Sequence, residues 1–227
     1  TRRSSDLHDE IKAILEKEDG KPIATFPFPS LENKALGIYS QQLILVKAQQ
    51  KIGKTEWFRA IEHHLVKTTD YNLGVIHLEE SEKRAVQGLL TYELQTPVHF
   101  PTCPYSPAQL YEKYVDMVKS DGRVNYYTHF AANDPDVIID AIRYMVNVQK
   151  CKFVFLDHMT MLAVGAEDER KLLDDLALRF TALTRDLDFT LFLIVHVNDE
   201  GQARGSRYIE KMCDMCISLT RNKVAED

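Results

Sequence analysis

The sequence predicts an α/β fold, a mostly parallel sheet with helices on both faces, and three observations carry that reading. Short apolar runs rich in β-formers alternate with amphipathic stretches along most of the chain. Runs such as "LILV" (43 to 46) and "KFVFLD" (152 to 157) are continuous rather than alternating, as expected of strands buried on both faces. Several of the runs end in residues suited to chemistry: Gly-Lys-Thr follows the first, and two later ones close on Asp157 and His196. A chain of 227 residues with 44% apolar and 27% charged residues is ordinary for a soluble protein and long enough for one large α/β domain or two small ones, one being the simpler reading.

In chain order, "DLHDEIKAILEK" (6 to 17) puts Leu7, Ile11, Ile14 and Leu15 on one helical face, with Asp6 as N-cap and Gly20 beyond the end. Residues 1–20 are therefore expected to be a linker helix that docks on another surface, a neighbouring subunit or its own core. The three prolines of "GKPIATFPFPS" predict an extended connector, neither helix nor central strand, leading through residues 21–42 into the domain. From 43 to 227 the expected core runs strand 43–47, helix 54–67, strand 73–78, helix 80–94 and a proline-containing loop to Pro107. Helix 107–119, strand 124–129, helix 135–149, strand 152–157, helix 167–185, strand 189–196 and strand 216–222 complete it.

Composition narrows the function. With a net charge of -6, any nucleic acid must be held by a local basic patch. The longest apolar run, Phe189 to Val197, is far shorter than the ~20 residues of a membrane span, and the first thirty residues have no signal-like apolar core. No membrane partner is expected, and the expected compartment is cytoplasmic, or the mitochondrial matrix for an organellar protein. Of four cysteines only Cys213 and Cys216 form a C-x-x-C pair, and no second pair or nearby histidine completes a zinc site.

The stretch "KAQQKIGKTEW" (47 to 57) sits between a predicted strand and a predicted helix. There, backbone N–H groups and a helix N-terminus face phosphates. In that reading Ala48, Gln49, Gln50, Lys51, Ile52, Gly53 and Glu56 surround the nucleotide. Lys54 reaches its β and γ phosphates, and the Thr55 hydroxyl sits on Mg²⁺. Taken alone, the tripeptide also describes a capped helix start with an exposed lysine. Asp157, at the end of its strand, stands where a Mg²⁺-holding carboxylate is required. Glu79 and Glu80 lie just past another strand end, placed to orient or deprotonate a water. Each is separately compatible with a plain helix cap, whereas the set together favours a nucleoside triphosphatase. His196 is either a satisfied polar cap or a group that bonds the γ-phosphate.

The ordered set "LEES", "LDH" followed by "DERKLLDDL", a strand ending in His196, an R-G-S and a strand ending in "RN" resembles the hexameric replicative DNA helicases of the DnaB and Twinkle group. Within that group it is most similar to the helicase half of phage bifunctional primase-helicases, over residues 30 to 223. The resemblance implies a RecA-like core assembled as a ring, hydrolysing ATP or dTTP between subunits and translocating on single-stranded DNA. It implies Glu79 as catalytic glutamate, Lys54 and Thr55 as the phosphate-loop pair, Asp157 as magnesium carboxylate and His196 as phosphate sensor. Arg221 would pack on the base, and helix 6–17 would dock on the adjacent subunit.

The loop "NDEGQARGSRYIEK" resembles the channel loop that grips DNA, with Asn198, Arg204, Gly205, Ser206, Arg207 and Lys211 as contacts; a solvated surface loop is the other reading. A primase domain upstream and a replication polymerase are the further partners implied. The sequence departs from the family where Ala48 replaces the first loop glycine and Lys211 stands in place of a glutamine. The family's trans-acting arginine finger would lie past Asp227. A RecA-like recombinase or clock-type ATPase, and a ring or loader protein without turnover, are the alternatives.

Overall fold

The structure, a computed structural model, describes residues 12, 20–49, 51–119, 122–128, 134–197 and 208–220. Its sheet consists of β1 (Leu43–Ala48), β2 (Asn72–His77), β3 (Val124–Thr128), β4 (Cys151–Asp157), β5 (Thr190–His196) and β6 (Met215–Leu219), in the order β3-β2-β4-β5-β1-β6. Among the described residues every strand pairing in this sheet is parallel, so the expectation of a mostly parallel sheet is met throughout.

The central strands read as unbroken apolar runs because both of their faces are covered. Successive residues nonetheless separate by side. Leu43 and Leu45 of β1, Val154 and Leu156 of β4, and Leu191 and Leu193 of β5 enter one core layer. Ile44 and Val46, Phe153 and Phe155, and Phe192 and Ile194 enter the other. The first layer is closed by α5 (Pro135–Asn147) and α6 (Glu169–Asp186), through Ile138, Ile142, Leu176 and Phe180. The second is closed by α2 (Lys54–Thr68), α3 (Glu82–Leu94) and α4 (Pro107–Val118), where Phe58, Ile61, Leu65, Leu89 and Met117 pack. Phe155 and Phe192 stack at 4.6 Å between ring centroids, with Phe58 edge-on to Phe155 at 5.2 Å.

Three helical pieces were not anticipated. Residues 29 and 30 of the proline-rich stretch begin α1 (Pro29–Ala35), because a proline at the first helical position gives up only an N–H that has no intrahelical partner. Glu32 fixes the entry by accepting from Phe26 N at 2.7 Å, and Phe26 is buried against Phe192. The connector is thus bound to the core and not detached from it. A 3-10 turn, Met159–Ala163, follows β4, and α7 (Tyr208–Met212) precedes β6. Of the predicted helix 6–17 only Lys12 is among the described residues, and it is helical.

Parallel pairing brings the strand ends that matter to one edge. Ala48 is in register with His196, and His77 with Asp157. The chain leaves β1 for β2 across two intervening strands and later returns past β1 to β6. The carboxyl edge at β1 is therefore an open crevice of the kind that holds ligands in such sheets.

Candidate active site

Between β1 and α2 the chain makes the turn that the sequence raised as a phosphate loop. Lys51 has φ +63° and Gly53, the N-cap of α2, has φ +92°. A Cβ at Gly53 would meet nothing within 4 Å, so conformation and not space calls for glycine there. Lys51 adopts a left-handed conformation that costs a non-glycine residue roughly 1–2 kcal/mol. The loop closes on a cavity of about 460 Å³ walled by Lys51, Gly53, Lys54, Thr55, Glu56, Glu79, Asp157 and His196. Ala48, buried at the end of β1, stands outside that wall with Gln49 and Ile52.

Lys54 is only 7% exposed, and its ammonium has no hydrogen-bond partner. Burial lowers its pKa, opposed by the charges of Asp157 and Glu79. Thr55 Oγ1 donates to Asp157 Oδ2 at 2.8 Å, which joins the start of α2 to the end of β4. Glu79 lies just beyond β2 with its side chain 56% exposed.

Its neighbour Glu80 is committed elsewhere. Glu80 Oε2 accepts from Arg59 Nη2 at 2.5 Å, and Arg59 also pairs with Glu56. Burial works against that guanidinium, but Glu80, Glu56 and Glu62 outweigh it, and the pKa of Arg59 is raised. Arg59 lies so close to α3 that a Cβ at Gly88 would fall 2.0 Å from its Nε, so a larger residue there would push the Arg59 side chain aside. Beneath this group Glu62 is buried, and desolvation pushes it up to about 8 against the pull of Arg59. His77 is also buried, and desolvation lowers its pKa.

Lys54, Thr55, Glu79, Asp157 and His196 therefore converge on one cavity, with Glu56 at its rim. Lys211 is exposed on α7. Gln50, Asn198, Arg204, Gly205, Ser206, Arg207 and Arg221 lie outside the described residues. Sequence reasoning missed His158. It is 3% exposed, its Nε2 lies 3.1 Å from Glu79 Oε1, and its ring stacks on His196 at 3.8 Å between centroids. Glu79, His158 and His196 present nitrogen and oxygen atoms within 4.8 Å of one another. The available signal was the position of His158 directly after a strand-end aspartate. The cysteines are free, and no helix among the described residues is long and apolar enough to cross a membrane.

A parallel sheet carrying a Gly-Lys-Thr turn after β1, with a carboxylate from β4 bonded to that threonine, defines a P-loop core of the RecA-like fold. The chain belongs to the DnaB-like helicase C terminal domain family, whose model matches residues 24–226.

Among curated proteins it is 23% identical over 238 residues to a DNA helicase/primase of Enterobacteria phage T3, covering 96% of this chain and 42% of the relative. The chain thus spans less than half the length of that relative. Among solved structures, a DnaB-like replicative helicase, described with its interactions with primase, matches with TM-score 0.74 and 13% identity, over 100% of this chain and 58% of that one. A second structure, described as an ATPase domain, matches with TM-score 0.70 and 15% identity, over 100% and 86%. A KaiC-like protein from Pyrococcus horikoshii gives 0.63 at 16% identity, over 92% and 84%, a likeness of fold.

Proposed function

We propose that this chain is the motor domain of a replicative DNA helicase, which hydrolyses a nucleoside triphosphate in the Lys54–Asp157 cavity and moves along single-stranded DNA. The observation that carries the reading is the ammonium of Lys54, buried without a partner beside the Thr55–Asp157 pair. A desolvated, unpaired cation costs stability unless an anion arrives, and a triphosphate is such an anion.

The N–H groups at the start of α2 and Lys54 receive the phosphates. Thr55 Oγ1 and Asp157 Oδ2 already converge, and two hard oxygen donors on adjacent elements fit Mg²⁺. When bound, that ion neutralises phosphate charge. Glu79, open to the cavity, takes the proton from the attacking water, while Glu80 holds Arg59. His196 donates to the γ-phosphate from the end of β5, and Arg221 covers the base. Phosphate contacts by Lys51 and Gly53 do not require a glycine at position 48, because both residues already hold turn conformations.

Arg204, Arg207 and Lys211, with Asn198, Gly205 and Ser206, hold DNA phosphates. A few such contacts per subunit, repeated around a hexameric ring, offset the acidic total. Residues 1–20 dock on the neighbouring subunit, 21–42 lead into the domain, and 43–227 form the motor. The phage relative, a helicase/primase, supports a primase as partner; an upstream position for that domain, a replication polymerase as a further partner and the cytoplasm of an infected bacterium as the setting complete the proposal.

The test is hydrolysis of ATP and dTTP, with and without Mg²⁺ and single-stranded DNA, alongside unwinding of a forked duplex by the full-length protein. The reading expects Mg²⁺-dependent turnover that DNA stimulates, and nucleotide-dependent unwinding. Turnover that ignores DNA, without unwinding, would refute the helicase reading; absence of nucleotide binding would refute the site.

A further inference from the structure

We infer that His158 is a positioning residue for Glu79: it holds the carboxylate toward the phosphate cavity and couples it to His196. The inference rests on the reading of Glu79 as the base that activates water. Glu79 is 56% exposed, beyond the end of β2, so its rotamer is not set by packing. An unrestrained glutamate loses side-chain entropy each time it is brought into line for proton transfer.

His158 is built to restrain it. The ring is 3% exposed, and its Nδ1 lies 2.5 Å from Thr160 Oγ1. A Thr160 hydroxyl donating to Nδ1 leaves the ring proton on Nε2, the nitrogen 3.1 Å from Glu79 Oε1. The Nε2 atom is buried, and the contact falls short of full hydrogen-bond geometry, so this donor is unsatisfied until the carboxylate swings into line. Catalytic hydrogen bonds are commonly loose before the substrate is bound and tighten with it. The other face of the device is the stack of His158 on His196, at 3.8 Å and 29° between planes. A shift of His196 toward a bound γ-phosphate moves the ring against it, and with that ring the donor that aims Glu79. The water-activating group is then drawn into place when the phosphate to be attacked is present.

Two substitutions separate the donor from the ring. His158→Phe keeps an aromatic ring beside His196 and removes Nε2; His158→Gln loses the ring and keeps an amide nitrogen near its position. Steady-state hydrolysis by the full-length protein should show kcat lower by roughly tenfold for His158→Phe, the scale of one oriented charge-assisted bond, with KM within about threefold. His158→Gln should remain within about threefold of the parent in both constants. In a Glu79→Gln background, adding His158→Phe should cause no further loss in the residual rate, because nothing remains to be positioned. Thr160→Val, at a half-exposed site, should lower kcat less than His158→Phe and supplies the test if that variant does not fold.

The inference is overturned if His158→Phe keeps kcat within about twofold, if His158→Gln is equally impaired, if the loss persists in the Glu79→Gln background, or if Thr160→Val leaves kcat unchanged where it must serve in place of His158→Phe. Full turnover by Glu79→Gln alone would instead overturn the underlying reading of the base.

Discussion

Replacing Lys54 by methionine keeps much of the side-chain volume and removes one charge, and two consequences of opposite sign should follow. In the unliganded protein the ammonium is buried and unpaired, so its removal relieves a desolvation penalty of about 1–3 kcal/mol. For a domain of this size each kcal/mol corresponds to roughly 2–4 °C, so the melting temperature without nucleotide should hold or rise. With nucleotide, the variant forfeits a hydrogen bond to a charged group, worth about 1.5–3 kcal/mol, which is roughly a 10- to 150-fold weaker Kd. Differential scanning calorimetry and titration calorimetry on the same preparations read both effects. A melting temperature that falls by several degrees, with Kd unchanged, would mean that Lys54 supports the fold and does not await a phosphate.

Glu62 should give the unliganded protein a distinctive pH dependence. Its carboxyl is pushed from its ordinary 4.5 up to about 8, so the folded state holds a proton that the unfolded chain has released. Stability should therefore fall as pH rises from about 4.5 to about 8, with this group adding a slope of at most about 1.4 kcal/mol per pH unit. Glu62→Gln should flatten that part of the curve, and equal slopes in urea titrations of both proteins would contradict the assignment. Among the cysteines, Cys216 is exposed and drawn down to about 7 by Cys213 and Lys47, whereas burial pushes Cys151 up to about 12. Timed alkylation read by mass spectrometry should label the exposed Cys216 before the buried Cys151; the reverse order would refute this. Deleting residues 1–20 from the full-length, ring-competent protein should shift it toward monomer and lower DNA-stimulated hydrolysis with the core still folded. Unchanged size in sedimentation velocity with nucleotide would place helix 6–17 on its own core.

Much of the fold was legible because buried parallel strands leave a strong signal. The six apolar runs became six strands with ends displaced by two or three residues at most where they can be compared, and the alternation with helices dictated the layers. The convergence of Lys54, Thr55, Glu79, Asp157 and His196 was legible too, since each follows or ends a predicted strand and parallel strands share a carboxyl edge. What escaped depends on contacts that no periodicity encodes. Helix α1 was hidden by prolines that read as coil until Pro29 took the first helical position and Glu32 turned back to Phe26. Glu80, unlike Glu79, is held by Arg59, whose side chain occupies the space a Cβ at position 88 would take. His158 gained its place from two other strand ends, distant in sequence, that bring Glu79 and His196 against it.

The account turns on which carboxylate activates water, and the most direct measurement is DNA-stimulated hydrolysis by Glu79→Gln and Glu80→Gln, paired with nucleotide Kd for each. The geometry predicts that Glu79→Gln loses roughly 100-fold or more in turnover, the scale of a general base, while Kd changes by less than about threefold. Glu80→Gln should instead weaken the pair with Arg59, lowering thermal stability while keeping most of the turnover. Full turnover by Glu79→Gln, or a greater catalytic loss in Glu80→Gln, would contradict the assignment of the cavity's chemistry to Glu79.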